Sequence, residues 1–408
     1  MDNRSKMNTI FSPLPGGSLT SPQGFLAGAV ASGLKASGGP DLGLVFSPAQ
    51  CQAAGLFTRN RIKAAPVLLS RRHLARGKAR AIVANAGCAN ACTGPQGLED
   101  AQEMARLTAG KLGLEAEEVL VASTGVIGRR LPMEKLRKGI DEIGLSREGG
   151  HDFVRAIMTT DTFPKETALA LETGGRRLVV AGCAKGAGMV HPNLATMLAF
   201  ITTDALVDGA FLKVALKRAA DLSFNMITVD GDTSPNDMVI VLASGQAGNQ
   251  PIVEGSPEAS IFQEALEQVC IYLARSIARD GEGARHLLEV KVEGAVSPLQ
   301  ARKAARAIAS SPLVKAMVYG ADPNWGRIAA ALGRSGARVE EGKLEIYLDS
   351  LCLFRGSPLA FASDEVRGIL KRPEVPIRAV LNLGEASATA WGCDLTPDYV
   401  KINSEYTT

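Results

Sequence analysis

The stretch that decides the fold reads Lys185-Gly-Ala-Gly-Met-Val-His-Pro-Asn-Leu-Ala-Thr-Met-Leu-Ala-Phe-Ile-Thr-Thr-Asp204. Its first half combines glycines, which reach backbone angles closed to other residues, with Pro192, whose φ is fixed. Residues 197–202 form an apolar run that is typical of a buried strand. The pattern predicts a tightly shaped loop that ends at Thr196, with a strand directly after it. A hydroxyl at a strand entrance, preceded by the small Ala195, is a place where a chain can cut itself and expose a threonine nucleophile.

The composition indicates a soluble enzyme with an ordinary core. Of the 408 residues, 46% are hydrophobic and 21% are charged, which excludes a disordered chain. The net charge of +3 and the aromatic content of 5% argue against a nucleic-acid surface or an anionic membrane as partner. The N-terminus has no continuous apolar segment of the secretory type, and no uncharged apolar run reaches the roughly 18 residues that span a bilayer. We therefore expect a cytoplasmic protein.

The seven cysteines are widely spread and odd in number, which argues against a disulfide framework. The closest pair, Cys88 and Cys92, lacks partner ligands at the spacing of a zinc site. We expect reduced, mostly buried thiols and no bound metal.

Strand-like and helix-like segments alternate along the chain without an internal repeat, which predicts an α/β fold with a substantial mixed sheet. The predicted strands are residues 79–85, 119–123, 165–172, 177–184, 197–202, 238–242, 344–348, 376–383 and 387–393. The predicted helices are residues 98–112, 208–224 and 257–279. Residues 165–184 look like a hairpin around Thr173-Gly174-Gly175. The stretch 244–251 is the best candidate for a loop or a boundary between two lobes.

Several standard chemistries are excluded by residue type. The chain has no phosphate-binding P-loop, no dinucleotide-binding glycine fingerprint, no zinc-protease helix and no hydrolase nucleophile elbow. The four histidines, His73, His151, His191 and His286, are interpreted as surface or structural residues, with His191 the one that lies in the key loop. The segment 230–237 has acidic spacing like that of a calcium loop but lacks the required glycine and glutamate. An acidic turn is favoured there, with orientation of a cationic substrate as the alternative.

Three hydroxyl-rich or glycine-flanked turns remain as functional candidates. Val121-Ala-Ser-Thr-Gly-Val-Ile-Gly128 follows a buried strand, and a Thr124 hydroxyl beside a Gly125 N–H can serve one oxyanion, although a plain strand turn is the alternative. Ile157-Met-Thr-Thr-Asp-Thr-Phe-Pro-Lys165 is either a capped helix end or a substrate-contacting turn. Glu282, between two glycines after a long helix, can pair with an amine or cap the helix in solvent.

In combination these blocks resemble the glutamate N-acetyltransferase (ornithine acetyltransferase, ArgJ) family of arginine biosynthesis. The matching blocks, in family order and from about residue 20 to the C-terminus, are Ser123-Thr-Gly-Val-Ile-Gly128, Met158-Thr-Thr-Asp-Thr162 with Pro164-Lys165, Lys185-Gly-Ala-Gly-Met189 through Leu194-Ala-Thr-Met-Leu198, Asp230-Gly-Asp-Thr233, Ala278-Arg-Asp-Gly-Glu-Gly283 and Ala321-Asp-Pro-Asn-Trp-Gly326. The resemblance implies a two-lobed α/β sandwich with the cut at the floor of a cleft between the lobes.

The resemblance also implies the chemistry. The precursor would cut itself between Ala195 and Thr196 into an α chain, residues 1–195, and a β chain, residues 196–408. The freed threonine amine would then act as base for its own hydroxyl, so that no catalytic histidine is needed. N-acetylornithine would acetylate Thr196, and glutamate would take the acetyl group. The site residues implied are the nucleophile Thr196, the oxyanion pair Thr124 and Gly125, and the substrate contacts Thr159, Lys185, Thr196, Glu282, Asn403 and Thr408.

The resemblance further implies an α2β2 assembly, no cofactor, and acetyl-CoA as a further donor in some members of the family. Two other classes of protein stay open at this point. A self-cleaving aminopeptidase or amidohydrolase would use the same new N-terminus but pass the acyl group to water. A non-enzymatic α/β scaffold would remain uncut.

Overall fold

The computed structural model describes residues 11–191 and 197–405. Its strands are β1 Phe11–Pro13, β2 Leu26–Val30, β3 Leu42–Phe57, β4 Lys78–Cys88, β5 Val119–Val126, β6 Lys165–Thr173, β7 Arg176–Lys185, β8 Leu198–Thr203, β9 Met238–Ala243, β10 Leu287–Ala295, β11 Glu345–Leu348, β12 Leu351–Arg355, β13 Glu374–Val380 and β14 Ala386–Cys393. Its α-helices are α1 Ala65–His73, α2 Gly94–Leu112, α3 Met133–Glu142, α4 Gly150–Ile157, α5 Gly209–Leu222, α6 Pro257–Arg279, α7 Pro298–Ala309, α8 Pro312–Tyr319, α9 Gly326–Gly333, α10 Ser363–Leu370 and α11 Pro397–Glu405. No helix in these ranges is both long and apolar enough to cross a membrane.

A large mixed sheet has the order β1-β6-β7-β8-β9-β3-β4-β5, and β2 also pairs with β3. The pairs β4–β5 and β8–β9 are parallel, and the other pairs are antiparallel. A smaller sheet has the order β12-β11-β13-β10-β14, with β10 and β13 parallel. The mixed α/β class predicted from the sequence is confirmed.

The centre of the large sheet is apolar on both faces, which explains why its strands read as continuous apolar runs. Along β9, Val239 and Val241 belong to one buried cluster, and Ile240 and Leu242 belong to the cluster on the other face. Helices α5 and α6 contact each other, and α6 packs against β6 and β7 of the large sheet and β14 of the small one. Helix α6 therefore lies between the sheets and joins them through one core.

Most predicted elements are present, with small shifts at their ends. The hairpin β6–β7 and helix α6 occur as predicted. Helix α2 begins at Gly94, four residues before the predicted start, with a proline in its first turn, where a missing N–H costs nothing. Strand β13 ends at Val380, and Asn382 adopts a left-handed φ of 53°, which ends the strand before the predicted residue 383. Residues 244–251 connect β9 to α6.

Candidate active site

The predicted oxyanion turn lies at the carboxyl end of β5. Gly125 has a φ of +126°, and a Cβ there would lie 2.4 Å from the carbonyl carbon of Gly87, so only glycine fits. The Thr124 side chain is 6% exposed, and its Oγ1 lies 3.3 Å from Lys185 Nζ. Asn236 also stabilises this turn, because its Nδ2 donates to the Ser123 carbonyl at 2.8 Å. A threonine hydroxyl and a glycine N–H are thus held next to each other at a cleft.

Lys185 ends β7 and brings a buried ammonium to the same cleft. Its side chain donates to Thr159 Oγ1 at 2.7 Å and to Thr124 Oγ1 at 3.3 Å. Burial lowers the pKa of Lys185, and the Asp161 carboxylate opposes this shift. The turn after α4 thus brings Thr159 to the cleft through this hydrogen bond, and its contact with a substrate stays a prediction.

Glu282 reaches the cleft from the loop after α6. Its carboxylate accepts a hydrogen bond from Asn403 Nδ2 at 2.8 Å, and its N–H donates to the Ala187 carbonyl at 2.9 Å. A Cβ on Gly188 would lie 2.4 Å from Cδ and from both carboxylate oxygens of Glu282. The absence of a side chain at the second glycine of the central stretch thus lets the Glu282 carboxylate lie against the loop.

A cluster of buried charged side chains, Asp161, Lys165 and Asp280, connects the turn after α4 to the loop after α6. Lys165 Nζ lies 2.6 Å from an Asp161 oxygen and 2.5 Å from an Asp280 oxygen, and its side chain is fully buried. Burial would raise the pKa of Asp161, but Lys185 and Lys165 outweigh it and hold that pKa at about 2. The sequence did not single out this cluster, because Asp280 lies 115 residues from Lys165 along the chain.

The acidic segment 230–237 acts as an anchor for the loop. The Asp230 carboxylate accepts N–H bonds from Met189 and Val190, the latter at 2.9 Å. These bonds hold Met189 at a left-handed φ of 56°. Asp237, at the end of the segment, accepts the Met197 N–H at 3.1 Å, and burial raises its pKa. The interpretation as a structural acidic turn is supported, and both carboxylates border the stretch that contains the predicted cut.

The residues above enclose a cleft of about 300 Å³. Within the described ranges its lining is Ala89, Thr124, Gly125, Val126, Ile127, Thr159, Thr160, Lys185, Gly188, Met189, Ser234, Asn236, Glu282 and Asn403. Six predicted substrate or oxyanion residues thus lie together at this cleft: Thr124, Gly125, Thr159, Lys185, Glu282 and Asn403. The sequence motifs did not predict Ser234 and Asn236 as site residues, although both lie in the acidic segment 230–237.

The cleft carries two charges that no oppositely charged side chain neutralises at ion-pair distance within residues 11–191 and 197–405. Lys185 bonds to two threonine hydroxyls, and Glu282 accepts from an amide. One ammonium and one carboxylate facing the same small space suit a molecule with both an acidic and a basic group. Ala195, Thr196 and Thr408, which were also predicted for the site, lie outside the described residues.

The four histidines have structural partners, as expected. His73 bonds to the Val119 carbonyl at 2.7 Å, His151 to Glu166 at 2.8 Å and His286 to Asp394 at 2.8 Å. His191 bonds to the Thr228 hydroxyl at 3.1 Å. All seven cysteines are free thiols in the described ranges, and five of them are buried.

Comparison with known proteins gives matches over nearly the full chain. The model of the ArgJ family matches residues 26–408. The arginine biosynthesis bifunctional protein ArgJ of Dehalococcoides mccartyi is 53% identical over 406 residues, which cover 98% of this chain and 100% of the relative. The protein of the same name from Symbiobacterium thermophilum is 54% identical over 397 residues, which cover 96% of this chain and 99% of the relative.

A solved structure is also similar. The crystal structure of the arginine biosynthesis bifunctional protein ArgJ from Bacillus halodurans has 45% sequence identity and a TM-score of 0.50. The match covers 51% of this chain and 98% of the solved chain, so that solved chain is about half as long as this one.

Proposed function

Because the chain belongs to the ArgJ family, we infer that it is an acetyltransferase of arginine biosynthesis, which moves the acetyl group of N-acetylornithine to glutamate. The observation that carries the assignment to this cleft is the pairing of an oxyanion turn, Thr124-Gly125, with the two unneutralised charges of Lys185 and Glu282. Both substrates carry carboxylate and amine groups, and each half of the transfer passes through an oxyanion.

The nucleophile that we propose is Thr196, produced by cleavage of the bond between Ala195 and Thr196. The Thr196 hydroxyl attacks the Ala195 carbonyl, the C–N bond breaks as the ester forms, and water then hydrolyses the ester. This sequence of steps leaves a carboxylate on Ala195 and a free α-amine on Thr196. Asp237 supports this proposal, because it fixes the N–H of Met197, the residue that directly follows the nucleophile.

The liberated amine then serves as base for the Thr196 hydroxyl, which attacks the acetyl carbonyl of N-acetylornithine. Thr124 Oγ1 and the Gly125 N–H stabilise the oxyanion, ornithine leaves with the proton, and an acetyl ester remains on Thr196. Glutamate attacks this ester by the reverse steps. Lys185 binds the substrate carboxylate, assisted by Thr159, and Glu282, oriented by Asn403, binds the side-chain amine of N-acetylornithine. Thr408 is proposed as a further contact.

We propose that this chemistry needs no cofactor, and that acetyl-CoA is a second acetyl donor, in line with the word bifunctional in the names of the relatives. Division into residues 1–195 and 196–408, and an α2β2 assembly in the cytoplasm, complete the proposal. The half-length solved chain of the Bacillus halodurans relative supports the division. A self-cleaving aminopeptidase is the weaker alternative, because the chain belongs to the ArgJ family.

Denaturing electrophoresis of the purified protein tests the proposal. The wild-type chain is expected to run as two bands, and Thr196→Ala as a single uncut band of 42.7 kDa without transferase activity. Thr202→Ala is the matched control, because Thr202 lies on the following strand and bonds to the Leu19 carbonyl. It is expected to cut normally. A wild-type chain that stays whole yet transfers acetyl groups would overturn the nucleophile assignment.

A further inference from the structure

Two buried lysines lie close to the cleft and have different partners. Lys165 and Lys185 are 1% and 4% exposed. Lys165 Nζ is paired with the carboxylates of Asp161 and Asp280. Lys185 Nζ hydrogen-bonds to the hydroxyls of Thr124 and Thr159. The first ammonium is therefore paired with carboxylates inside the protein, whereas the second contacts hydroxyl groups at the cleft.

The two carboxylates that Lys165 pairs with also hold the backbone of the site. Asp161 accepts the N–H of Gly186, next to Lys185, at 2.7 Å, and the N–H of Thr159 at 2.9 Å. Asp280, two residues before Glu282, accepts the Thr162 N–H at 2.9 Å and the Thr162 hydroxyl. The turn after α4, the end of β7 and the loop after α6 each supply a side chain to the cleft. The two carboxylates that pair with the Lys165 ammonium connect all three segments.

Lys165 offsets one of the two negative charges of this cluster, and its removal would leave both carboxylates without the ion pair that they share. Asp161 and Asp280 carry two negative charges, and Lys165 carries one positive charge. An unpaired buried carboxylate is costly, so it takes whatever cation is within reach. Lys185 is the strongest electrostatic influence that keeps Asp161 ionised, and Lys165 is the next. Two other lysines feel the Asp161 charge, Lys185 and Lys35. Lys35 Nζ is already held by the carbonyls of Pro40, Arg155 and Ala156, so Lys185 is the cation that Asp161 would attract without Lys165.

We propose that Lys165 is a positioning residue that neutralises Asp161 and so leaves the Lys185 ammonium free to bind the carboxylate of the amino-acid substrate. This inference rests on the proposed function, in which Lys185 is the group that recognises that carboxylate. Lys165 itself does not contact the cleft. It acts on the residue that does through Asp161, which it keeps paired.

The test combines Lys165→Met with two second substitutions. Lys165→Met is expected to raise the KM for N-acetylornithine roughly 10- to 100-fold, the size expected for loss of a hydrogen bond to a charged group, with a smaller change in kcat. Lys165→Met with Asp161→Asn removes the carboxylate that would capture Lys185, and most of the KM is expected to recover. Lys165→Met with Asp280→Asn is the matched control, because it also removes one buried negative charge but leaves Asp161 to capture Lys185. Its KM is expected to stay high.

Self-cleavage provides the folding check, because it does not use the carboxylate-binding role of Lys185. If the single variant fails to fold, the two double variants, which carry one buried carboxylate less, give the same comparison. Equal KM values in the two double variants, with both cut into two chains, would overturn the role of Lys165. A wild-type chain that transfers no acetyl group from N-acetylornithine to glutamate would instead overturn the proposed function, and the two failures are therefore distinguishable.

Discussion

Substitution of Gly188 by alanine separates activity from stability at this site. The new Cβ would lie 2.4 Å from the Glu282 carboxylate, where ordinary contact begins at 3.4 Å, so the carboxylate has to move by about 1 Å. Glu282 is only half-buried, so its flexible side chain can move aside. The free energy of unfolding therefore falls by only about 1 kcal/mol, the cost of a strained rotamer. A displacement of about 1 Å at a catalytic site costs about 100-fold in rate, or about 2.7 kcal/mol.

The assay compares kcat/KM for N-acetylornithine with the urea midpoint of the same preparation. We expect Gly188→Ala to lose about 100-fold in kcat/KM and to unfold at nearly the wild-type urea concentration. Gly110→Ala is the matched control, because its Cβ would meet no atom within 4 Å on the surface of α2. It is expected to keep full activity and to gain about 0.5–1 kcal/mol in stability. Wild-type kcat/KM in Gly188→Ala would refute the assignment of Glu282 as a substrate contact in this position.

Two further predictions concern the oxyanion turn and the buried cluster. Thr124→Val removes one oxyanion donor, and we expect kcat to fall about 10²- to 10³-fold in steady-state assays with little change in KM; a raised KM at unchanged kcat would assign Thr124 to substrate binding instead. The pKa of Asp161 is held at about 2, below its ordinary value of 3.8, so its ionised form stabilises the folded state above about pH 4, and this contribution is lost as the pH falls toward 2. The difference in urea midpoint between wild type and Asp161→Asn should therefore be largest near neutral pH and shrink on acidification, and a difference independent of pH would contradict the ion pairing.

The parts of the fold that the sequence predicts well are those specified by local pattern. Strand β8 and helix α6 each carry their own periodicity, and the β6–β7 hairpin carries its own glycine turn. The small sheet was predicted only in part. Its strand β10 was missed, although Leu288-Glu-Val-Lys-Val-Glu293 alternates apolar with charged residues, which is the local signal of a half-buried strand.

The site was predicted at the residues that carry a recognisable block and missed where the signal is long-range. Thr124, Lys185 and Glu282 lie in such blocks and meet at the cleft. Lys165 lies in a matching block and at the start of a predicted strand, but its ion pairs were not predicted, because its partner Asp280 lies far along the chain. Gly188 was interpreted as a source of backbone freedom, whereas its contact with Glu282 shows that the missing side chain is what matters.

In the proposed mechanism Thr196 carries the acetyl group between donor and acceptor. The most direct measurement is the intact mass of the separated chains after the enzyme is mixed with N-acetylornithine in the absence of glutamate. We predict that the chain beginning at Thr196 gains the mass of one acetyl group, that residues 1–195 gain none, and that added glutamate removes the gain. Transfer to glutamate without any acetylated chain, or an acetyl group on the chain of residues 1–195, would contradict the account.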